Sequence, residues 1–153
     1  MSGICEGRVV IITGAGGGLG AAHARVLAQE GACVVVNDIN EAAAAKVVAQ
    51  ITEAGGRAVV NTSDITNYDD SLNAVKQALD SYGDLHGVVN NAGINRDRMF
   101  ASMTEEDWDL IMAVHLKGHF CISSHAVHYW RGRAKEGEPV DARIINTSSG
   151  AGL

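Results

Sequence analysis

Short apolar runs rich in β-branched residues alternate with longer amphipathic stretches along most of this chain. The runs predict five strands at 8–13, 32–36, 58–61, 85–90 and 143–147, and the stretches predict helices at 20–29, 41–54, 68–82 and 105 to about 133. The runs are apolar throughout, which is typical of strands that helices cover on both faces. Strand–helix repetition with tight turns requires right-handed crossovers. The sequence therefore predicts one α/β domain over residues 1–153, with a doubly wound parallel sheet in strand order 3-2-1-4-5.

Composition argues against several classes of protein. The 153 residues carry a net charge of −6, whereas surfaces that bind nucleic acid need clustered Lys and Arg. There is no run of 18 apolar residues and no leader-like start, so we expect neither a membrane span nor export. The cysteines, Cys5, Cys33 and Cys121, are widely spaced and include no C-x-x-C pair. That pattern is typical of free thiols in a reducing cytoplasm, and it indicates no metal site.

A glycine-rich loop at 13–20 lies between the first predicted strand and the first predicted helix. Its spacing matches T-G-x-x-x-G-x-G; a G-x-G-x-x-G pattern fails because its last position falls on Leu19. Side chains at the glycines would hold the backbone away from a pyrophosphate, which binds to the N–H groups and dipole of a helix start. We therefore predict a Rossmann-like fold in which Gly14, Gly17, Gly18 and Leu19 contact a dinucleotide. A glycine turn that binds nothing is the alternative.

Asp38 follows the second predicted strand, where this kind of fold reaches the adenosine ribose. A carboxylate there accepts hydrogen bonds from both ribose hydroxyls and repels a 2′-phosphate. No Arg or Lys lies in the glycine loop or beside Asp38. These features predict NAD in preference to NADP. The alternative is a solvated turn residue, since Asn37-Asp38 is also good turn chemistry.

Three later segments, taken with these features, resemble the short-chain dehydrogenase/reductase family. They are Ser63-Asp64-Ile65, the N-N-A-G element at 90–93, and the strand and loop I-I-N-T-S-S at 144–149. All lie in the family's order along the chain. The resemblance implies that Asp64 and Ile65 cradle the adenine, that Asn91, Ala92 and Gly93 line the cofactor, and that Ser149 is the catalytic serine.

A narrower similarity covers the segments 90–100, 106–108 and 114–120. These resemble the dehydrogenase unit of multifunctional enzyme type 2, also called 17β-hydroxysteroid dehydrogenase type 4, and its bacterial single-domain relatives. The similarity implies an NAD-dependent secondary-alcohol dehydrogenase that acts on a (3R)-hydroxyacyl-CoA or a steroid-like alcohol. The family also implies a homodimer or homotetramer formed through the helix at 105–133.

The catalytic residues depart from the family pattern in two ways. His115 stands where the family carries a relay asparagine, so it either holds the relay water or packs against the core. In the family a tyrosine about a dozen residues after the serine is the general base, and a lysine one helical turn later lowers its pKa. This sequence has no Y-x-x-x-K; Tyr129 and Arg133 have a similar spacing but precede Ser149, so we predict them on the helix surface. We expect the protein to continue past Leu153 with more strands, the tyrosine and the lysine.

Several alternatives stay open at this stage. His115 and His119 lie one helical turn apart, but Leu116 replaces the Glu of H-E-x-x-H, so packing or bound water is favoured over zinc. Arg96 and Arg98 either meet a CoA phosphate or lie in a solvated loop. A chain that ended at Leu153 would be a non-catalytic NAD-binding module. The long helix is expected to present one apolar face, formed by Trp108, Ile111, Met112, His115, His119, Ile122 and Ala126, and Trp108 and Trp130 are expected in the core or at a subunit contact.

Overall fold

The computed structural model describes residues 3–149. Strands and helices alternate along the chain. The elements are β1 (Val9–Thr13), α1 (Gly18–Gln29), β2 (Cys33–Asn37), α2 (Glu41–Glu53), β3 (Arg57–Asn61), α3 (Tyr68–Tyr82), β4 (Gly87–Asn90), a 3₁₀ turn (Phe100–Ser102), α4 (Glu105–Met112), a π-helical segment (Ala113–Lys117), α5 (Gly118–Lys135) and β5 (Arg143–Asn146). Each predicted strand is present within two residues of its expected bounds, and α1 begins at Gly18 rather than at Gly20.

The five strands form one parallel sheet in the order β3-β2-β1-β4-β5. The predicted order is therefore confirmed, including the reversal that places β4 beside β1, where Ile11 pairs with Val88. Where the strand order reverses, the connections that follow the two adjacent strands run in opposite directions. The carboxyl ends of those strands therefore leave a crevice between them. That crevice is the region in which the predicted site residues lie.

Both faces of the sheet are covered, because the strand residues are apolar on both sides. Ile12 and Val34 pack towards α1 and α2, on the core that contains Ala24 and Val47. Ile11 and Val35 pack towards α3 and α5 on the opposite side. β5 is the exception, since Ile145 is 57% exposed on the edge strand.

Three helices begin at side-chain caps. The side chains of Asn40, Asn67 and Thr104 accept hydrogen bonds from backbone N–H groups two or three residues into α2, α3 and α4. These bonds satisfy donors that have no partner inside the helix. At Thr104, the donor to the capping hydroxyl is Asp107 N, at 3.1 Å.

The helix predicted from residue 105 to about 133 is continuous to Lys135 but contains the π-helical segment. A π turn holds more residues than an α turn, so it shifts the phase of all side chains that follow. The expectation of one apolar face is wrong for this reason. Ile122 and Ala126 are buried, whereas Trp108 on α4 is 53% exposed.

Tyr129 is not on the helix surface as predicted. Its ring packs against the core on the α3 and α5 side, and its hydroxyl donates to Asp84 Oδ1 at 2.8 Å. Burial and the nearby Asp84 carboxylate raise the pKa of Tyr129 to about 12. Arg133 lies nearer the surface, 3.6 Å from Glu138. Trp130 donates to the Leu85 carbonyl at 2.7 Å and packs on the same core, as expected of a core residue.

Residues 3–149 contain neither a candidate membrane span nor a candidate metal site. None of the helices described there combines the length and the apolar character needed to cross a bilayer. The same residues contain no group of three or more His, Cys, Asp or Glu side chains arranged to hold a metal ion. All three cysteines are free.

Substituting a residue at the centre of the sheet tests the two-sided core. Ile11→Ala should lower the free energy of unfolding by about 3 kcal/mol, because Ile11 is fully buried and a cavity would remain. Ile4→Ala is the matched control: Ile4 is 90% exposed, and the change should be below about 0.5 kcal/mol. Urea denaturation followed by circular dichroism measures both, and equal effects would contradict the assigned core.

Candidate cofactor-binding site

A cleft of about 250 Å³ lies at the carboxyl edge of the sheet. It brings together residues from four separate loops, six of which were predicted as site residues. The lining comprises Gly14, Asn37, Asp38, Ile39, Ser63, Asp64, Ile65, Thr66, Ala92, Gly93, Ile94 and Val114. None of these is basic, and the apolar residues flank a small number of polar groups, as in many small-molecule sites.

Thr13 joins the glycine loop to the end of β4. Its buried hydroxyl accepts hydrogen bonds from the backbone N–H groups of Asn91 and Ala92, both at 3.0 Å. The Asn91 amide donates back to the carbonyls of Thr13 and Gly14 at 3.1 and 3.3 Å. Asn91 therefore supports the site from behind, whereas Ala92 and Gly93 form its wall.

Two glycines allow the backbone to approach closely here. Gly14 has a φ of +61°, and a Cβ on it would lie 2.7 Å from the Ala92 Cα atom. A Cβ on Gly20 would overlap the Gly14 carbonyl oxygen and the Asn91 side chain. Glycine is thus required on steric grounds at the first and last glycines of T-G-x-x-x-G-x-G, which are Gly14 and Gly20.

The start of α1 lacks a side-chain cap. Gly17 is the N-cap residue and supplies no capping hydrogen bond, and the first turn contains no acidic residue. Gly18 and Leu19 open the helix, and the Leu19 side chain is 67% exposed. Free N–H groups and the positive end of the helix dipole favour an anion at such a position.

Asp38 links the second strand to the glycine loop. Its Oδ2 atom accepts a hydrogen bond from Gly16 N at 2.9 Å, and its Oδ1 atom accepts one from Asn40 N at 2.9 Å. A carboxylate has about four acceptor positions, so both oxygens retain capacity for a ligand. Asp38 lies at this edge of the sheet, as its position after the second strand predicts. Its hydrogen bond with Gly16 was not predicted from the sequence.

Asp64 and Ile65 form the opposite end of the cleft. Asp64 Oδ1 accepts from the Thr66 backbone N–H at 2.8 Å and from the Thr66 hydroxyl at 2.7 Å, which fixes the carboxylate. Ile65 is buried against the α3 and α5 core. Both predicted residues therefore line the cleft.

Two sets of asparagine hydrogen bonds at the carboxyl ends of the strands were not predicted from the sequence. Asn37 Nδ2 donates to Asn61 Oδ1 at 2.8 Å and to the Ser63 carbonyl at 3.0 Å. Asn90 Nδ2 donates to Ser123 Oγ and Asn146 Oδ1 at 2.9 and 2.8 Å. Asparagines that end consecutive apolar runs are the signal that indicates such a network, because buried amides need partners.

The two predicted catalytic residues lie at different places. His115, in the π-helical segment, does not pack into the core; its Nε2 atom lies 2.8 Å from the Ile94 carbonyl oxygen and 3.1 Å from Ile94 N. Ser149 lies in the loop after β5, exposed and outside the cleft lining. Residues 150–153, which follow the predicted serine, lie outside the described residues.

Arg96 and Arg98 lie in the exposed loop after β4, as the solvated-loop alternative expects, and both form ion pairs. Both approach the Asp107 carboxylate, with Nε to carboxylate distances of 3.8 and 2.6 Å. Asp107 is also the residue whose backbone N–H donates to the Thr104 cap. The two arginines therefore fasten the loop after β4 to the start of α4.

Comparison with known proteins gives the family. The family model described as short chain dehydrogenase matches residues 8–153. The chain belongs to the short-chain dehydrogenase family. It is 47% identical over 155 residues to a hydroxyacyl-CoA dehydrogenase, ChsB1, of Mycobacterium tuberculosis, covering 97% of this chain and 49% of that protein.

Two further relatives of this short-chain dehydrogenase chain bear on the narrower resemblance and on the cofactor. The peroxisomal multifunctional enzyme type 2 of Mus musculus is 44% identical over 157 residues, covering 97% of this chain and 20% of that enzyme. The crystal structure of 3-ketoacyl-(acyl-carrier-protein) reductase from Brucella melitensis, complexed with NADH, aligns with a TM-score of 0.85 and 32% identity, covering 95% of this chain and 58% of that one. The narrower resemblance is thus confirmed, and the chain spans half or less of the two sequence relatives.

The steric requirement at the glycine loop can be tested directly. Gly20→Ala should lower the free energy of unfolding by about 2 kcal/mol and weaken dinucleotide binding, because the new methyl group displaces the Gly14 carbonyl. Gly17→Ala is the control in the same loop, since a Cβ there meets nothing within 4 Å; its stability change should stay below about 1 kcal/mol. Thermal unfolding of both variants measures the difference, and equal loss of stability in both would contradict the proposed close approach.

Proposed function

We propose that this chain binds NAD and forms the cofactor-binding part of an oxidoreductase that interconverts a secondary alcohol and a ketone. The proposed substrate is a 3-hydroxyacyl-CoA, with a hydroxysteroid as the related alternative. The observation that carries the proposal is that Asp38, which lines the carboxyl-edge cleft, accepts a hydrogen bond from Gly16 in the loop that leads to the uncapped start of α1. The similarity to a hydroxyacyl-CoA dehydrogenase supports the thioester as substrate.

The residues present fit a nicotinamide dinucleotide. The space above Gly17 and Gly18 is open, with no atom within 4 Å of a Cβ built on either glycine, so a pyrophosphate can approach the first N–H groups of α1. The cleft of about 250 Å³ lies just below the roughly 300–1,000 Å³ of sites that enclose a whole small molecule. We therefore assign the cleft to the adenosine half, with Asp64 and Ile65 at the adenine and Asp38 at the ribose.

The charge around Asp38 supports NAD over NADP. The cleft lining contains two carboxylates and no Lys or Arg. A 2′-phosphate on the adenosine ribose would therefore meet negative charge with no compensating cation. The ribose hydroxyls of NAD instead offer donors to the unused acceptor positions of Asp38.

The division of chemical roles follows from the placement of the residues. When bound, the nicotinamide supplies hydride exchange, and the protein supplies orientation and electrostatics. Ser149 is proposed to donate a hydrogen bond to the substrate oxygen. Tyr129 is unsuited as the general base, because burial and Asp84 raise its pKa to about 12 and its hydroxyl is held at Asp84, away from the cleft.

The exposed apolar side chains of the long helix support a homo-oligomer. Six of them lie on α4, the π-helical segment and α5: Trp108, Leu110, Met112, Leu116, Phe120 and Val127. An apolar area of this kind is typical of a protein contact. We propose a homodimer or homotetramer through this helix, and a cytoplasmic location that matches the free thiols.

Cofactor preference gives one test. The protein should bind NADH at least about tenfold more tightly than NADPH, a difference of ~1.4 kcal/mol. Asp38→Ala should narrow that gap mainly by improving NADPH binding, because the carboxylate that repels the 2′-phosphate is gone. Fluorescence titration with both cofactors measures the four affinities. Equal affinity of the unmodified protein for NADH and NADPH would refute the assigned role of Asp38.

Turnover gives another test, with adjacent serines as a matched pair. The protein, with its complete sequence, should reduce NAD in the presence of a (3R)-hydroxyacyl-CoA. Ser149→Ala should lower kcat by about a hundredfold or more, since a donor to the reacting oxygen is lost. Ser148→Ala should leave kcat within about threefold. A larger loss in the Ser148 variant would move the serine assignment by one residue, and NADH binding without turnover of any alcohol would favour a non-catalytic NAD-binding module.

A further inference from the structure

The segment 63–66, between β3 and α3, forms the adenine end of the cleft. All four of its residues line the cleft, and Asp64 and Ile65 are the two assigned to the adenine. The hydrogen bonds that fix the backbone of this segment therefore decide where the adenine wall stands. One of them comes from a side chain that is not part of the cleft lining.

That side chain is Asp70, in the first turn of α3. Its Oδ2 atom accepts a hydrogen bond from the Asp64 backbone N–H at 2.7 Å. Its Oδ1 atom accepts one from Asn73 Nδ2 at 3.0 Å, within the same helix. Both oxygens of the Asp70 carboxylate are thus engaged, and a hydrogen bond to a carboxylate is stronger than one between neutral groups.

The contact extends an arrangement that is common at helix starts. In a capping box, the side chain at the third helical position returns to the backbone N–H of the N-cap residue. In α3 the N-cap residue is Asn67 and the third helical position is Asp70. The Asn67 N–H donates instead to the Asp64 carbonyl at 3.1 Å, and Asp70 reaches three residues further back, to Asp64 N. The start of α3 and the adenine end of the cleft are therefore one hydrogen-bonded unit.

The corresponding position in the other two capped helices makes no such link. In α4 it is Asp107, whose carboxylate meets the Thr104 hydroxyl and Arg98. In α2 it is Ala43, which has no polar side chain. Among the side-chain-capped helices that the structure describes, α3 is the one whose third residue bonds a segment of the cleft lining.

The residues on either side of Asp64 are held by other contacts. The Ser63 backbone N–H donates to Asn61 Oδ1 at 3.2 Å, and the Ser63 carbonyl accepts from Asn37 Nδ2 at 3.0 Å. Ile65 is 6% exposed and packs closely on α5, where a Cβ on Gly118 would lie 2.8 Å from the Ile65 Cδ1 atom. Loss of the Asp70 carboxylate would therefore loosen the backbone at Asp64 while its neighbours stay anchored.

We propose that Asp70 is a positioning residue for the adenosine half of the cofactor, which sets the place of Asp64 without contacting the cofactor itself. The inference rests on the proposed function, because it assigns Asp70 to the adenine wall of the NAD site. An ordered wall raises affinity, since the ligand does not have to fix the wall when it binds.

Binding of the adenosine half is the direct test. Asp70→Ala should weaken the binding of both NADH and ADP-ribose by about fivefold, which corresponds to ~1 kcal/mol, because both ligands carry the adenosine. Asp69→Ala is the matched control, since Asp69 is exposed, lies in the same first turn and carries the same charge towards the helix dipole. It should bind both ligands as the unmodified protein does. Calorimetric titration measures all the affinities.

A conservative variant separates the hydrogen bond from the charge. Asp70→Asn removes the charge but keeps an acceptor oxygen for the Asp64 N–H. It should therefore recover most of the affinity that Asp70→Ala loses. Because Asn preserves the shape of the side chain, this variant carries the test even where Asp70→Ala is less stable.

Steady-state kinetics supply a readout that a general loss of structure would not produce. Asp70→Ala should raise the KM for NAD about fivefold and leave kcat within about twofold, because the adenosine is not the reacting part of the cofactor. A fall in kcat as large as the rise in KM would overturn a role confined to the adenosine half.

The binding outcomes distinguish the two proposals. If the unmodified protein binds NADH and Asp70→Ala binds NADH and ADP-ribose equally well, the positioning role is overturned and the cofactor assignment stands. Equal losses in the Asp69 and Asp70 variants would also overturn it, because the charge at the helix start would then explain both. Affinity of Asp70→Asn no better than that of Asp70→Ala would overturn the role of the hydrogen bond. If the unmodified protein does not bind NADH, the proposed function fails, and this inference fails with it.

Discussion

The close approach between the glycine loop and the end of β4 is the constraint on which the site depends. Thr13 holds the two segments together from the buried side, because its hydroxyl accepts hydrogen bonds from two consecutive N–H groups after β4. Gly14 allows the close approach because it has no side chain where Ala92 passes. β1 and β4 are neighbours only because the strand order reverses. The site therefore depends directly on the topology of the sheet. A larger residue at Gly14 would separate the glycine loop from the Ala92 backbone that faces it.

This chain of net charge −6 presents its candidate anion site with no basic side chain in the cleft lining. The attraction for a pyrophosphate comes instead from backbone N–H groups at the uncapped start of α1, which carry the positive end of the helix dipole. The contrast with α2, α3 and α4 is informative, since each of those helices begins at a side-chain cap. The helix that faces the site is the one of these four whose first donors stay free for a ligand. Under the proposed function, Asp38, which is fixed by Gly16 and Asn40, would select among nucleotides by repulsion rather than by attraction.

Much of the fold and half of the site follow from the sequence because they depend on local pattern. Apolar runs predict the strands, and glycine spacing predicts the loop. The position of Asp38 after β2 predicts its place at the carboxyl edge of the sheet. The failures concern interactions between distant elements. The π-helical segment leaves no signal in hydrophobic periodicity, so the single apolar face expected of the long helix was wrong. The pairing of Tyr129 with Asp84 joins residues 45 positions apart, and no local pattern predicts it. The same holds for His115 and Ile94, which meet only after the helix packs against the loop.

The π-helical segment explains why one helix can serve two surfaces. In a regular α-helix the side chains at 108, 112, 115, 119, 122 and 126 follow one stripe, and burying Ile122 and Ala126 would turn Trp108 towards the core as well. The wider turn at Ala113–Lys117 breaks that phase. As a result, α5 can bury Ile122 against the sheet while α4 leaves Trp108 outward. His115 lies within the wide turn itself, and its ring meets Gly93 and Ile94 in the loop after β4.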